Sequence, residues 1–274
     1  MFLLSSVTRV FRKEGRVPLT LKQREMLAGL AFISPWFIGF IIFTAGPMLA
    51  SLGLSFTEYD VLNPPEFVFL DQYKKLLDDP KIRLSISNTV VYTLMRVPLS
   101  MMFALTLAMI LNRVGRAAGF FRTAFYMPSM TPAVAIGTLW LWILNPRIGL
   151  VNSGLDLIGI DGPGWTTDPD WIIPGIVLMS LWSVGGTVII YLAALRNVPQ
   201  VLYEAAYVDG ANAWIRFRHV TLPMISGAIF FTLIVNTIAS LQIFAEVYTM
   251  FFGTMNSGAA SSSGLFYNIY LFRQ

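Results

Sequence analysis

Five long apolar runs, each nearly free of charge, constrain this chain more than any other feature. A helix crosses the hydrocarbon core of a bilayer with about 20 mostly apolar residues. Runs of that kind lie at 27–50, 86–111, 124–144, 172–195 and 224–252. Charged residues make up only 12% of the chain and hydrophobic ones 55%, where a soluble domain carries about 25% charged residues. One core cannot bury that much apolar surface in 274 residues, so lipid is its natural solvent. The expected fold is an all-α, polytopic transmembrane helical bundle.

The remaining composition excludes several chemistries. There is no cysteine, so disulfides, thiolate metal sites and thiol catalysis are absent. The single histidine, His219, rules out a histidine-rich metal site, and no metal is expected. The net charge of +4 does not point to nucleic acid, because the basic residues are scattered between apolar runs rather than gathered on one face. The 27–50 run is too long for a cleaved signal peptide and reads as a retained first span.

Loop charges orient the spans. The N-terminal stretch holds Arg9, Arg12, Lys13, Arg16, Lys22 and Arg24 against Glu14 and Glu25. The loop after the second run holds Arg113, Arg116 and Arg122 with no acid. The loop at 57–84 is rich in acids, and the loop at 145–170 sets Asp156, Asp161, Asp168 and Asp170 against Arg147 alone. Basic loops stay inside, so the N-terminus and the loops at 112–123 and 196–223 are expected in the cytoplasm, and the acidic loops outside.

The most informative of these is 196–223, RNVPQVLYEAAYVDGANAWIRFRHVTLP. Its spacing predicts two short helices. Pro199 suits the first turn of one, and Gly210 ends it as a residue able to take positive φ. The second is expected over 211–220, with Trp214, Phe217 and Val220 on one side, before Pro223 starts the next span. Such an amphipathic pair has apolar surface and no core to enter. Either it lies on the bilayer surface, anchored by Trp214, Arg216 and Arg218, or it docks on a partner. His219 reads as a surface residue rather than a ligand.

The order Glu204-Ala205-Ala206, Asp209-Gly210-Ala211 and Leu222-Pro223 resembles the EAA loop of permease subunits from binding-protein-dependent ABC importers. The flanks Val198-Pro199, Leu202-Tyr203 and Phe217-Arg218-His219-Val220 match as well. Further stretches resemble the sugar-type members: Leu70-Asp71-Gln72-Tyr73, Leu76 through Pro80, Asn88-Thr89, Phe120 through Thr123, Asn145-Pro146 with Gly149 through Asn152, and Phe244 through Tyr248. Within that group the chain is similar to the first permease subunit of maltose- and glycerol-phosphate-type importers. The resemblance implies the type I importer bundle, with five spans visible and a sixth expected but missing from this chain. It implies a cytoplasmic N-terminal segment at 1–26, a transmembrane domain at 27–274, and a location in the bacterial inner membrane.

The resemblance also implies a mechanism. The first loop helix is a coupling helix seated in a groove of a cytoplasmic ATPase subunit, two of which serve the importer. Glu204 offers a carboxylate to a basic partner, Ala205 and Ala206 allow close approach, and Gly210 permits the turn. The chain has no GxxxxGK[ST] sequence to hold nucleotide phosphates in that way. ATP and Mg therefore belong to the partner ATPase, and this chain itself carries no cofactor and no catalytic residue. A second, homologous permease subunit completes the translocation path, and an extracytoplasmic solute-binding protein delivers a sugar or related small polar solute. By family position, path residues fall at the midpoints of the fourth and fifth runs: Ser180, Trp182 and Thr187, then Asn236, Ser240 and Ile243. Asn236 and Ser240 share a helix face and serve equally well as interhelical hydrogen-bond partners.

Two charges lie inside apolar runs, Arg96 and Glu246, where an unpaired charge is costly. They pair with each other, or Arg96 faces the path, or Arg96 is a structural anchor paired within the bundle. Trp140 and Trp142 read as aromatics of the membrane interface. An ion-coupled secondary transporter is the alternative function, although it would usually place paired acids within its spans, and only Glu246 qualifies. A membrane enzyme would have to use Asp168 and Asp170, which have no partner base in view.

Overall fold

A computed structural model describes residues 20–60, 62–114, 118–252 and 263–274. The basic residues Arg9, Arg12, Lys13, Arg16 and Arg116 lie outside the described residues, as does most of the small-residue stretch after Phe252. The chain divides into two compact units, Met1–Leu76 and Leu77–Gln274.

The first unit contains one long helix, α1 (Leu21–Leu54). It starts earlier than the hydropathy suggests because Thr20 and Gln23 form a capping box. The Thr20 hydroxyl accepts from the Gln23 N–H, and the Gln23 side chain accepts from the Thr20 N–H. None of its residues is buried. A helix that is apolar all round and unburied suits lipid. A π turn at Ile41–Ala45 precedes Pro47, so the widened turn includes Phe43, the residue whose carbonyl the proline ring would otherwise meet. After α1, β1 (Thr57–Glu58) pairs antiparallel with β2 (Glu66–Phe67). Helix α2 (Asp71–Asp78) follows, its Tyr73 hydroxyl 2.7 Å from Ser55 Oγ.

The second unit is built on α3 (Pro80–Arg113). The Asp79 side chain caps it by accepting from the Lys81 N–H at 2.8 Å, and Pro80 occupies the first turn, where no N–H is required. The run expected to form the third span is not one helix. It breaks into α4 (Ala118–Tyr126), a 3-10 turn at Met127–Met130 and α5 (Ala133–Ile143). Pro128 and Pro132 remove donors and force extended backbone at Thr131 (ψ 134°). The 11 residues of α5 reach only about 16 Å. Helix α6 (Leu150–Asp156) follows.

The fourth run is two helices, α7 (Pro169–Trp182) and α8 (Gly185–Arg196), bent by 53°. Next come α9 (Gln200–Val208), α10 (Ala213–Arg216) and α11 (Ser226–Leu241), then α12 (Ala245–Phe251) and α13 (Tyr267–Phe272). Among the described residues, three helices are long and apolar enough to cross a membrane, or four with the bent pair as one span.

Two apolar clusters mark the ends of this unit. Ala104, Ala108 and Leu111 of α3 pack with Leu192, Leu195, Val198 and Ile225. Ile82 and Tyr92, near the start of α3, pack with Ile172, Ile176, Val247, Phe251 and Ile269. So α3 and the α7–α8 pair run in the same direction, and α11–α12 runs back. The chain leaving Arg113 and the chain leaving Arg196 open at one end; Asp79 and Asp168 sit at the other. Trp140 is buried in the second cluster (8% exposed) and is not an interfacial residue. It shares with Ile136 and Leu144 the helix face that packs there. Trp142 is exposed. Leu265 and Phe266 are buried and α13 lies on the N-terminal half of α3, where Phe266 meets Tyr92 edge-on at 5.4 Å.

Candidate functional site

Two features of the second unit are candidates for the functional site. The first is the helix–turn–helix at the Arg196 end. Pro199 caps α9 from just outside rather than entering its first turn. The helix ends in a Schellman turn: the Ala211 N–H donates to the Ala206 carbonyl (2.9 Å) and the Gly210 N–H to the Tyr207 carbonyl (3.1 Å). Gly210 takes φ +77°, the left-handed conformation a glycine adopts without strain. Asn212 then caps α10, its side chain accepting from the Ile215 N–H at 2.9 Å. The Asp209-Gly210-Ala211-Asn212 stretch thus stops one helix and starts the next in four residues.

The second loop helix does not end before Pro223. It runs on through a π turn at Phe217–Thr221 into Leu222–Met224, and the Ile225 N–H still donates to the Thr221 carbonyl (3.1 Å). The same device as before Pro47 operates, since the widened turn includes His219, four residues before Pro223. The pair is tied together by Tyr203, whose hydroxyl is 3.0 Å from Thr221 Oγ1, and by Arg216, which lies over the Tyr207 ring at 5.5 Å. Glu204, Ala205, Asp209 and Gly210 are exposed, and Ala206 and Ala211 are half-buried. Around them Val201, Tyr207, Val208 and Trp214 are each about two-thirds exposed or more. His219 is exposed, with Nδ1 3.1 Å from the Ile215 carbonyl, as a surface residue should be.

The second feature is a cavity of ≈ 170 Å³ lined by residues of α3, α5, α7 and α11–α12. Its polar lining is Tyr92, Arg96, Ser180, Ser183, Gln242 and Glu246. Two helix breaks meet there. Ser183 is the residue at which α7 stops, and Gln242 the residue at which α11 stops. Backbone that leaves the helical pattern at membrane depth is tolerated where it lines a cavity.

The six expected path residues divide. Ser180 and Ile243 line the cavity. Asn236 and Ser240 instead form interhelical bonds. Arg96 Nη1 donates to Ser240 Oγ (2.7 Å) and to the Asn236 carbonyl (3.4 Å), while Asn236 Nδ2 donates to Thr187 Oγ1 (3.4 Å). Thr187 belongs to this network. Trp182 meets Trp140 edge-on at 6.3 Å. Arg96 and Glu246 both line the cavity, and neither joins an ion pair among the described residues. Tyr92 and Gln242 were not foreseen, because nothing in their local spacing marks them. Asp168 caps α7, accepting from the Asp170 N–H at 3.0 Å.

Compared with known proteins, residues 96–272 match the family described as the binding-protein-dependent transport system inner membrane component. The chain belongs to this family.

Relatives agree along most of the length. The chain is 39% identical over 255 residues to the probable ABC transporter permease protein YesP of Bacillus subtilis, covering 92% of this chain and 81% of that one. It is 35% identical over 258 residues to the lactose transport system permease protein LacF of Rhizobium radiobacter, covering 92% and 85%. Among solved structures it resembles a bacterial ABC transporter involved in the import of the acidic polysaccharide alginate. The TM-score is 0.76 and the identity 26%, over 91% of this chain and 84% of that one.

As an inner membrane component of this family, the chain has the type I importer permease fold and is a multi-pass translocation subunit of an ATP-driven importer. It is not an enzyme, since hydrolysis of ATP belongs to a separate subunit. It works with a solute-binding protein and with permease and ATPase partners.

Proposed function

We propose that this permease forms half of the path for a sugar or related small polar solute, with a second homologous permease subunit as the other half. Two cytoplasmic ATPase subunits drive it and bind the ATP and Mg. The observation that carries this reading is α9. A short helix closed by a Schellman turn projects Glu204 with Val201, Tyr207 and Val208 at the end bearing Arg113, Arg196, Arg216 and Arg218. Basic loops stay in the cytoplasm, so this end and the N-terminus face inward, and α9 meets the ATPase.

In this reading Glu204 pairs with a basic group of the ATPase, and Ala205 and Ala206 let the surfaces approach. Asp209, Gly210 and Ala211 hold the turn, and Leu222 and Pro223 join it to α11. A desolvated charge pair of that kind is worth about 2–5 kcal/mol when one partner is truncated. Ser180 and Ile243 line the solute path. Trp182, Thr187, Asn236 and Ser240 stand close behind it and hold its wall. Sugar as cargo is supported by relatives that serve lactose, trehalose/maltose and starch degradation products. The domain at 27–274 acts as the transmembrane domain, with 1–26 as a cytoplasmic segment, and the acidic loops at the opposite end receive the solute-binding protein.

Uptake in cells tests the energy source. Depleting ATP with the proton gradient intact should stop solute uptake, and dissipating the gradient with ATP maintained should spare it. The reverse pattern would assign the chain to ion-coupled transport.

A further inference from the structure

One charge in the cavity has a recognition face that the protein leaves unused. The guanidinium of Arg96 carries five N–H donors in a fixed plane. Nη1 is engaged by Ser240 Oγ and the Asn236 carbonyl. The Nε and Nη2 hydrogens lie on the opposite edge of the group and point the same way. Nε is buried and meets no acceptor. No acceptor among the described residues takes the Nη2 hydrogens.

This free edge is the side-on fork that matches the two oxygens of a carboxylate. The fork is held in place, because the bonds to Nη1 fix one side of the plane and the guanidinium carbon lies 6.0 Å from the centre of the buried Tyr92 ring. Glu246 lines the same cavity and is the obvious intramolecular partner, yet it makes no ion pair with Arg96. A neutral solute would be served by the hydroxyls and amide already present, Ser180, Ser183, Tyr92 and Gln242. A guanidinium held within a span at a cost, with one edge unmet, calls for an anion.

We propose that Arg96 is the anion-recognising residue of this cavity and that the solute is a sugar bearing a carboxylate, of the uronic acid class. This rests on the reading of the chain as a sugar importer permease. The carboxylate sits on the Nε–Nη2 edge, and the sugar hydroxyls turn toward Gln242, Ser183 and Glu246. Glu246 accepts from hydroxyls and repels a second anion, so it orients the ring in one sense. Arg96 and Glu246 together select an acid with its charge at one end.

The test uses the whole importer, permease pair and ATPase subunits, in lipid nanodiscs, with calorimetric binding of a saccharide panel. The panel holds galacturonic, glucuronic and mannuronic acid as single sugars, each with one carboxylate, and their neutral counterparts, galactose, glucose and mannose. At least one acid is expected to bind tenfold or more tightly than its neutral counterpart. Arg96→Gln should erase the preference, Arg96→Lys should keep part of it, and Glu246→Gln should strengthen acid binding severalfold. Equal binding of acids and neutral sugars, a preference that survives Arg96→Gln, or no binding of any saccharide overturns the proposal. If Arg96→Gln does not assemble, Glu246→Gln decides, and unchanged or weaker acid binding by that variant overturns it. In the same preparation, hydrolysis stimulated by the solute-binding protein separates the two readings. If it is present while the panel fails, only the acidic-sugar assignment falls; if no ATPase subunit is retained, the importer reading falls with it.

Discussion

Tyr203, within α9, and Thr221, beyond α10, share a hydrogen bond of 3.0 Å between their hydroxyls. Tyr203 stands one residue before Glu204 on α9. Thr221 is buried at the foot of the path into α11, and its neighbour Val220 packs in the apolar cluster that holds Leu195 and Ile225. The bond therefore connects the surface proposed to meet the ATPase with the segment that leads into α11, which reaches the cavity. A load applied to α9 has a short, hydrogen-bonded route to α11.

Tyr203→Phe should leave the fold intact and lower stability by about 1 kcal/mol, the usual net worth of one hydrogen bond. Its larger effect should be on coupling: hydrolysis per solute transported should rise, because the ATPase moves α9 with less drag on α11. Simultaneous measurement of phosphate release and uptake in proteoliposomes checks this, and an unchanged ratio would show that the bond only stabilises.

Ser240→Ala separates a wall residue from a solute contact. Ser240 accepts from Arg96 at 2.7 Å and donates to the Asn236 carbonyl at 2.7 Å. Bonds to charged groups are worth about 1.5–3 kcal/mol, so the variant should melt at a lower temperature in detergent. A variant that melts like wild type yet loses solute affinity would return Ser240 to direct contact.

At Gly137 the backbone of α5 packs closely against α12. A Cβ added there would lie 2.6 Å from the Glu246 carbonyl oxygen and 3.1 Å from Thr249 Cβ. Gly137→Ala must push the two helices apart, and overpacking of this kind costs about 1–3 kcal/mol. A drop in melting temperature, larger for Gly137→Leu, is the expected result. Gly29, where an added Cβ meets nothing, provides the neutral control.

At the opposite end, Tyr270 donates to Asp79 Oδ2 at 2.8 Å, which ties α13 to the cap of α3. The Lys81 N–H, and then the Tyr270 hydroxyl, hold the Asp79 carboxyl below its ordinary value of 3.8. The same bond to Asp79 raises the Tyr270 hydroxyl above its ordinary 10.0. A depressed carboxyl contributes stability that is present above the unfolded value and lost as pH falls through the folded one. A raised phenol contributes stability that is present below 10.0 and lost as pH rises through the folded value. The wild-type melting temperature should thus fall at both extremes. Tyr270→Phe should flatten the alkaline fall and reduce the acid one, because Lys81 still holds Asp79. A Tyr270→Phe profile that matches wild type at alkaline pH would contradict the assignment.

The membrane class and the backbone geometry of the loop were legible because they depend on local pattern. Apolar length marks a span wherever it lies, and Gly210 announces a positive φ by being the residue that tolerates one. The interruptions were harder. Pro128 and Pro132 were visible in the third run, yet hydropathy outweighed them, and the run was read as one span. The bend between Trp182 and Gly185 carries a Ser-Val-Gly-Gly signal that apolar flanks obscured. The break at Gln242 has no local signal at all, since neither glycine nor proline is near it. Partners across the bundle were not legible. Arg96 stood out as a buried charge, but its bond to Ser240 spans residues 144 apart and depends on how α3 and α11 dock. Trp140 was misread for the same reason, as periodicity does not say which face of α5 meets α12.

The most direct test of the account is hydrolysis of ATP by the importer reconstituted in lipid with its ATPase subunits and solute-binding protein. Wild type would be compared with Glu204→Lys, which reverses the charge on α9, and Gly210→Pro, which cannot take φ +77° and removes the N–H that closes the turn. The account predicts hydrolysis stimulated by the binding protein in wild type, and loss of stimulation or of the bound ATPase subunit in both variants. Wild-type behaviour in both variants, or a chain that never co-purifies with an ATPase, would contradict it.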